Sequence, residues 1–312
     1  MIKANMVVTI LAFSIVAACE KLPPSEVEEP GGQITEATSF TGEPLLRRVV
    51  SETQKEENEG KILKIKEQDS LSEDDFMKLG KLLAANKQYQ DAIAAYSEGL
   101  KIYPESFKLL RHRAHRYLTT RQVEAARADL VLANSLNNAL DADAIEFKNG
   151  HENGTYRHWI GYHLGIAELL LENYEASASA FRDSLATSSN DNEVLGVVDW
   201  LYTVYNLAGN VEAAEKVLEN VPADTGADAS YPYYDRVMLY KGLRTAAEVI
   251  DLEADASNWS AKDITLANGV ANWMLFQGRP EEAAKVYDAI LATPYWDIWA
   301  YLTAEHQLTI MN

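Results

Sequence analysis

The chain has 312 residues, is 47% hydrophobic and carries a formal charge of −19. That length supports a sizeable core, and that charge argues against nucleic acid or bare anionic lipid as a partner, since both require a basic footprint. The single cysteine, Cys19, excludes an internal disulfide and a thiolate zinc cluster.

In chain order, Lys3 precedes an apolar run from Met6 to Ala18, too short for a permanent transmembrane helix and suited to a signal-peptide core. It closes on Val16-Ala17-Ala18-Cys19, which resembles the bacterial lipobox. The resemblance implies cleavage before Cys19 and lipidation of its thiol, with residues 1–18 as signal peptide. Glu20, a non-aspartate after the cysteine, implies by the same resemblance an outer-membrane location facing the periplasm. Residues 19–44, poor in apolar side chains and broken by Pro23-Pro24 and Pro30-Gly31-Gly32, are expected to be a flexible tether. The remainder, 45–312, is expected to be one helical domain.

Its pattern is almost entirely helical, with apolar residues spaced by three and four. One or two solvating helices are expected over 45–68. The first hairpin spans 72–104: Ser72 and Asp75 suit a capping box, Asn86-Lys87-Gln88-Tyr89 a turn, and Pro104 a stop. Gly80 and Ala92 fall where the two helices approach, and a side chain larger than alanine there would push them apart. A second hairpin covers 107–138. The stretch Ala139 to Arg157 then interrupts the period, long for a loop and so either functional or disordered. Further hairpins follow near 158–189, 195–221, 232–252 and 263–292, and Trp296 to Leu308 has the pattern of a closing helix at 296–308.

Phe76-x2-Leu79-Gly80-x2-Leu83, Ala92-x3-Tyr96 and Pro104 resemble the tetratricopeptide repeat, and the small and large positions recur 34 residues later at Ala114, Tyr117, Ala126 and Ala133. The resemblance implies an all-α, right-handed solenoid of about six hairpins with a C-terminal capping helix. Its concave face would be lined by the first helix of each pair.

A closer resemblance is carried by Arg111-His112-Arg113-Ala114-His115-Arg116-Tyr117, His158-Trp159-Ile160-Gly161-Tyr162-His163-Leu164-Gly165, Trp200-Leu201-Tyr202 and Asn272-Trp273. These are similar to a bacterial tetratricopeptide family with an RHRGHRY helix and a WYHLG helix. Ala114 stands where that family has glycine, and the 139–157 insertion is differently worded. The family implies a fold without implying an activity.

Mapped onto the repeat, the groove would present Lys108, Arg111 and His115 on the second hairpin and Trp159 and Tyr162 on the third. Asp199, Thr203 and Asn206 would follow on the fourth, and Asn268 and Asn272 on the last. A cationic patch with aromatics and amides suits a peptide segment or a small acidic or sugar-like ligand, and the insertion could fold over it as a lid. The competing expectation is that Arg111, Arg113, His115 and Arg116 pair with the acidic insertion and neighbouring carboxylates. His112, His115, His158 and His163 lack the spacing of a zinc site, and no nucleophile elbow, P-loop or dinucleotide fingerprint occurs. No cofactor, metal or catalytic residue is expected. The expected function is a lipid-anchored, non-enzymatic scaffold binding envelope proteins or peptides; the alternative is a small-molecule or glycan-binding lipoprotein of an uptake system.

Overall fold

The computed structural model describes residues 28–29, 33–139, 144–148, 150–222, 224–228 and 231–311. Cys19 and the apolar leader lie outside them. Among the described residues no helix is long and apolar enough to cross a membrane.

Helix α1 (Glu52–Lys66) precedes a series of antiparallel pairs: α2 (Glu73–Ala85) with α3 (Tyr89–Ile102), α4 (Phe107–Thr119) with α5 (Val123–Asn138), α6 (Tyr156–Leu170) with α7 (Tyr174–Ala186) and α8 (Asp191–Leu207) with α9 (Val211–Val217). The shortened pair α10 (Pro232–Tyr240) and α11 (Ala246–Val249) follows, then α12 (Ala261–Phe276) with α13 (Pro280–Leu291), and finally α14 (Trp299–Met311). Neighbouring pairs pack on each other to give one continuous core.

Local chemistry accounts for these boundaries. The Ser72 hydroxyl accepts from Asp75 N at 3.2 Å while the Asp75 carboxylate accepts from Ser72 N at 3.1 Å, a capping box that satisfies two helix-end donors. The turns inside the pairs pass through left-handed residues: Lys87 (φ 63°), Arg121 (φ 63°), Glu172 (φ 58°), Gly209 (φ 73°), Gly242 (φ 68°) and Gly278 (φ 72°). The pairs close on small residues, more tightly than expected: at Gly80 even the methyl of alanine would lie 2.2 Å from Tyr96 Cε1.

Two short antiparallel sheets correct the sequence expectation. Within the stretch expected to be a tether, β1 (Glu28–Glu29) and β3 (Pro44–Leu46) flank β2 (Gln33–Thr38). Ala37 pairs with Leu45, and both are buried. Glu36 orders this hairpin. The N-cap residue of α3, Gln88, offers no side-chain cap, and the buried Glu36 carboxylate replaces it by accepting from Tyr89 N at 2.8 Å and Gln90 N at 3.0 Å. A carboxylate at a helix N-terminus is stabilised by both orphan donors and the helix dipole. The insertion folds as a hairpin of β4 (Ile145–Lys148) and β5 (His151–Thr155), with Gly150 at φ 81° in its turn.

The largest departure concerns α14. It continues beyond α13 and meets α12, as a cap would, but it also reaches across the concave side to α4 and α6. The Trp299 ring lies 4.9 Å from that of His115 on α4 and 5.6 Å from that of His163 on α6. The segment before it reaches the first pairs: Trp296 Nε1 donates to Leu46 O at 2.8 Å, and Asp297 is held by Lys87 Nζ at 2.7 Å, by Tyr89 Oη at 2.6 Å and by Arg48. Burial alone would raise the Asp297 carboxyl, yet these donors leave it below the usual aspartate value.

Candidate functional site

The ten groove candidates divide between two buried clusters and two outlying residues. Lys108 is half-exposed, with Glu73 3.7 Å away. Asn206 donates to the Tyr202 carbonyl of its own helix at 2.9 Å.

The first cluster gathers Arg111, His115, Trp159 and Tyr162. Arg111 is 4% exposed, and its Nη2 lies 3.1 Å from Oε2 of Glu146 on β4. The insertion is thus a lid fastened by an ion pair, which is the alternative expected for the arginine run as far as Arg111 goes; Arg113 pairs with Asp129, and among the described residues His115 and Arg116 pair with no carboxylate. Lys81 Nζ donates to Phe147 O at 3.3 Å from the other side. Trp159 donates its ring N–H to the Asn153 carbonyl on β5, and the Arg111 guanidinium sits 5.8 Å from the Trp159 ring centroid. Tyr162 accepts from Trp200 Nε1 at 2.6 Å and its hydroxyl approaches that of Tyr233 at 3.4 Å. His115 is wedged between the rings of His163, at 4.6 Å, and Trp299. Burial drives the imidazoles of His112, His115 and His163 well below their ordinary value of 6.5, and nearby arginines add to the effect.

The second cluster joins α8, α10, α12 and α14. Asp199 and Arg236 are fully buried and meet at 2.7 Å. Burial raises the Asp199 carboxyl to about 6 while the adjacent guanidinium works against that rise. Asn268 Nδ2 donates to the Ala300 carbonyl at 3.1 Å, Asn272 Oδ1 accepts from Tyr287 Oη at 2.7 Å, and Asn272 Nδ2 faces Thr203 Oγ1 at 3.5 Å. These amides, expected to face a ligand, hold the chain's own last helix and its neighbours.

The expectation of an open peptide-binding groove is therefore corrected. Apart from Lys108 and Asn206, the candidate side chains pack against α14, the β4–β5 lid and neighbouring helices. A change at Arg111 strands a buried carboxylate and acts on the fold as well as on any partner.

Other catalytic-type residues are also spent on packing. His158 Nδ1 lies 3.1 Å from Ser184 Oγ, 3.3 Å from Ser188 Oγ and 3.9 Å from Glu193 Oε2. All three approach one ring nitrogen of a side chain 1% exposed, so the group knits α6 to α7 and α8. Among the described residues no three His, Cys, Asp or Glu side chains are arranged to hold a metal ion.

Sequence reasoning did not select Arg116, Glu146, Glu305 or Asp297. Arg116 shares an i, i+4 stripe with His112, which was a readable signal. The partners of the other three lie far away in sequence.

No family model matches the chain, and no curated protein matches it. Among solved structures, it is similar to a tetratricopeptide repeat protein from Parabacteroides merdae, at 16% identity and a TM-score of 0.50 over 83% of this chain and 94% of that one. A putative kinesin light chain with TPR-like repeats from Podosopora anserina matches at 15% identity and a TM-score of 0.41, over 70% of this chain and 92% of that one. The helix order, the small residues at the pair contacts and the first of these likenesses together identify the fold as an all-α solenoid of the tetratricopeptide-repeat type.

Proposed function

We propose that this chain is a non-enzymatic interaction scaffold of the bacterial cell envelope, anchored through a lipidated Cys19 and docking protein segments on its outer surface. The anchor rests on the lipobox resemblance, and the periplasm-facing outer-membrane location rests on Glu20. The scaffold reading rests on a fold made of stacked hairpins, which builds surface without assembling reactive groups.

One structural contrast carries the choice of surface. The concave side is taken by α14, whereas a cleft of about 290 Å³ stays open between α5, α6 and α7, lined by Asn134, Asn138, Gly161, Leu164, Ala180 and Asp183 among others. Val131, 47% exposed, lies on the same stripe of α5 as Asn134 and Asn138. An apolar side chain beside amides and an open cleft suits a protein segment better than a free sugar.

The test is site-specific photo-crosslinking in the native cell, with the reactive residue at Val131 and separately at Tyr162. Defined envelope proteins captured from Val131 and none from the buried Tyr162 are expected. Capture from Tyr162 alone would return the docking site to the concave side, and no protein adduct at either position would overturn the scaffold reading.

A further inference from the structure

On the inner side of α4, Arg111 stands one turn from His115, and His112 one turn from Arg116. The donors on this stripe outnumber its acceptors. Arg111 Nη2 lies 3.1 Å from Glu146 Oε2, an acceptor that makes no hydrogen bond of its own, and its Nη1 lies 2.9 Å from His112 Nδ1. A guanidinium only donates, so His112 Nδ1 accepts, and the proton of this neutral imidazole sits on Nε2. That N–H has no partner, and neither has Arg111 Nε, although His112 and Arg111 are only 5% and 4% exposed. Unmet buried donors are uncommon and call for an acceptor.

Among the described residues no carboxylate forms an ion pair with Arg116; its guanidinium instead lies over the Tyr89 ring, 5.3 Å from the centroid. Asp297, whose charge reaches it, is already shared by Arg48, Lys87 and Tyr89. The protein surrounds Arg116 deeply enough for burial to depress its guanidinium, yet Arg116, His115, Trp159 and Trp299 all keep part of their surface accessible.

We propose that these accessible surfaces border one space, bounded by α4, α6 and the start of α14, that binds a small organic carboxylate, with Arg116 as its counter-ion and His112 Nε2 as a further donor. A planar guanidinium matches a carboxylate with two parallel hydrogen bonds, and the partly accessible Trp299 ring offers a flat apolar wall for the rest of the molecule. One unpaired cation beside neutral imidazoles balances a single negative charge. It would leave a phosphate dianion under-compensated. This site is independent of the outer docking surface.

Calorimetric titration of the full chain in detergent with acetate, benzoate and inorganic phosphate tests it. One equivalent of acetate or benzoate is expected to bind, with no phosphate heat, and Arg116→Gln should weaken binding roughly thirtyfold or more. The unliganded Arg116→Gln protein should melt no lower than the parent, because it loses an uncompensated buried cation. Absence of carboxylate binding at millimolar concentration, unchanged affinity in Arg116→Gln, or a phosphate-only site would each overturn the proposal. If Arg116→Gln does not fold, Arg116→Lys supplies the comparison: it keeps the charge, loses the planar fork and should bind severalfold more weakly, and parental affinity would overturn the assignment.

Discussion

Arg121, in the turn of the second hairpin, and Glu305, in the last helix, form a buried ion pair across 184 residues of sequence. Nη2 and Oε2 are 2.5 Å apart, and each side chain is 3% exposed. The other Glu305 oxygen accepts from Phe40 N at 2.5 Å, and Arg121 Nη1 also reaches the Trp296 carbonyl at 2.9 Å. One carboxylate thus ties together the N-terminal hairpin, the second repeat and α14. Glu305→Ala should lower unfolding free energy by about 3–5 kcal/mol, the usual cost of stranding a buried charge. Arg121→Met with Glu305→Leu should recover most of that loss in urea denaturation. A single-mutant cost under about 1 kcal/mol would mean that the junction is open in solution.

The lid makes a separate prediction. Arg111→Gln leaves Glu146, itself 4% exposed, without its cation. Amide exchange should then accelerate in β4 and β5 while α2 and α3 keep their protection. Adding Glu146→Gln should restore slow exchange, since two neutral amides can replace the ion pair. Equal acceleration throughout the domain would show that the hairpin is not a separable unit.

Two glycines should respond in opposite directions. Gly80→Ala forces a methyl into the Tyr96 ring and should cost about 1–3 kcal/mol, as overpacking does. At Gly60, inside α1, an added Cβ would meet nothing within 4 Å. Gly60→Ala should add about 0.5–1 kcal/mol through helix propensity. Thermal melts of both variants check the pair.

Stability should fall as the solution is acidified below about pH 6.5. His112, His115 and His163 have folded pKa values well below 6.5 because burial penalises the charged rings. Below 6.5 the unfolded chain therefore binds more protons than the folded one, and stability rises with pH across that window. Asp199, raised to about 6, and Glu36, also raised by burial, work the other way, but His158 and His306 are lowered as well, which makes five histidines against two carboxyls. Each fully coupled histidine contributes a slope of at most about 1.4 kcal/mol per pH unit. Urea midpoints between pH 7 and pH 5 measure it, and His163→Asn should flatten the profile.

The hairpins were legible because their cues are local: a capping box at Ser72, small residues at Gly80 and Ala92, a period of 34. The N-terminal sheet was not, although Gln33 to Thr38 is rich in β-branched residues, because Glu36 finds its partners only when α3 is already in place. The β4–β5 hairpin left a mark in the Asn149-Gly150 dipeptide, a strong turn signal, which a search for helical periods passes over. For the candidate site, periodicity gave Arg111, His115, Asn268 and Asn272 inward faces, and the structure packs them against other helices and the lid. It could not reveal that α14 reaches across the inward side. That depends on how sharply the stack curves, and curvature accumulates from small rotations at every pair contact.

The contacts of Asp297 and Glu305 with the first two repeats change the expected unfolding behaviour of the stack. In an open array each repeat is stabilised by its neighbours, and outer repeats can fray while the middle stays folded. Here, loosening either terminal region breaks contacts at the other. The described domain should therefore lose its structure in a single cooperative step, with its terminal helices as slow to exchange as its centre.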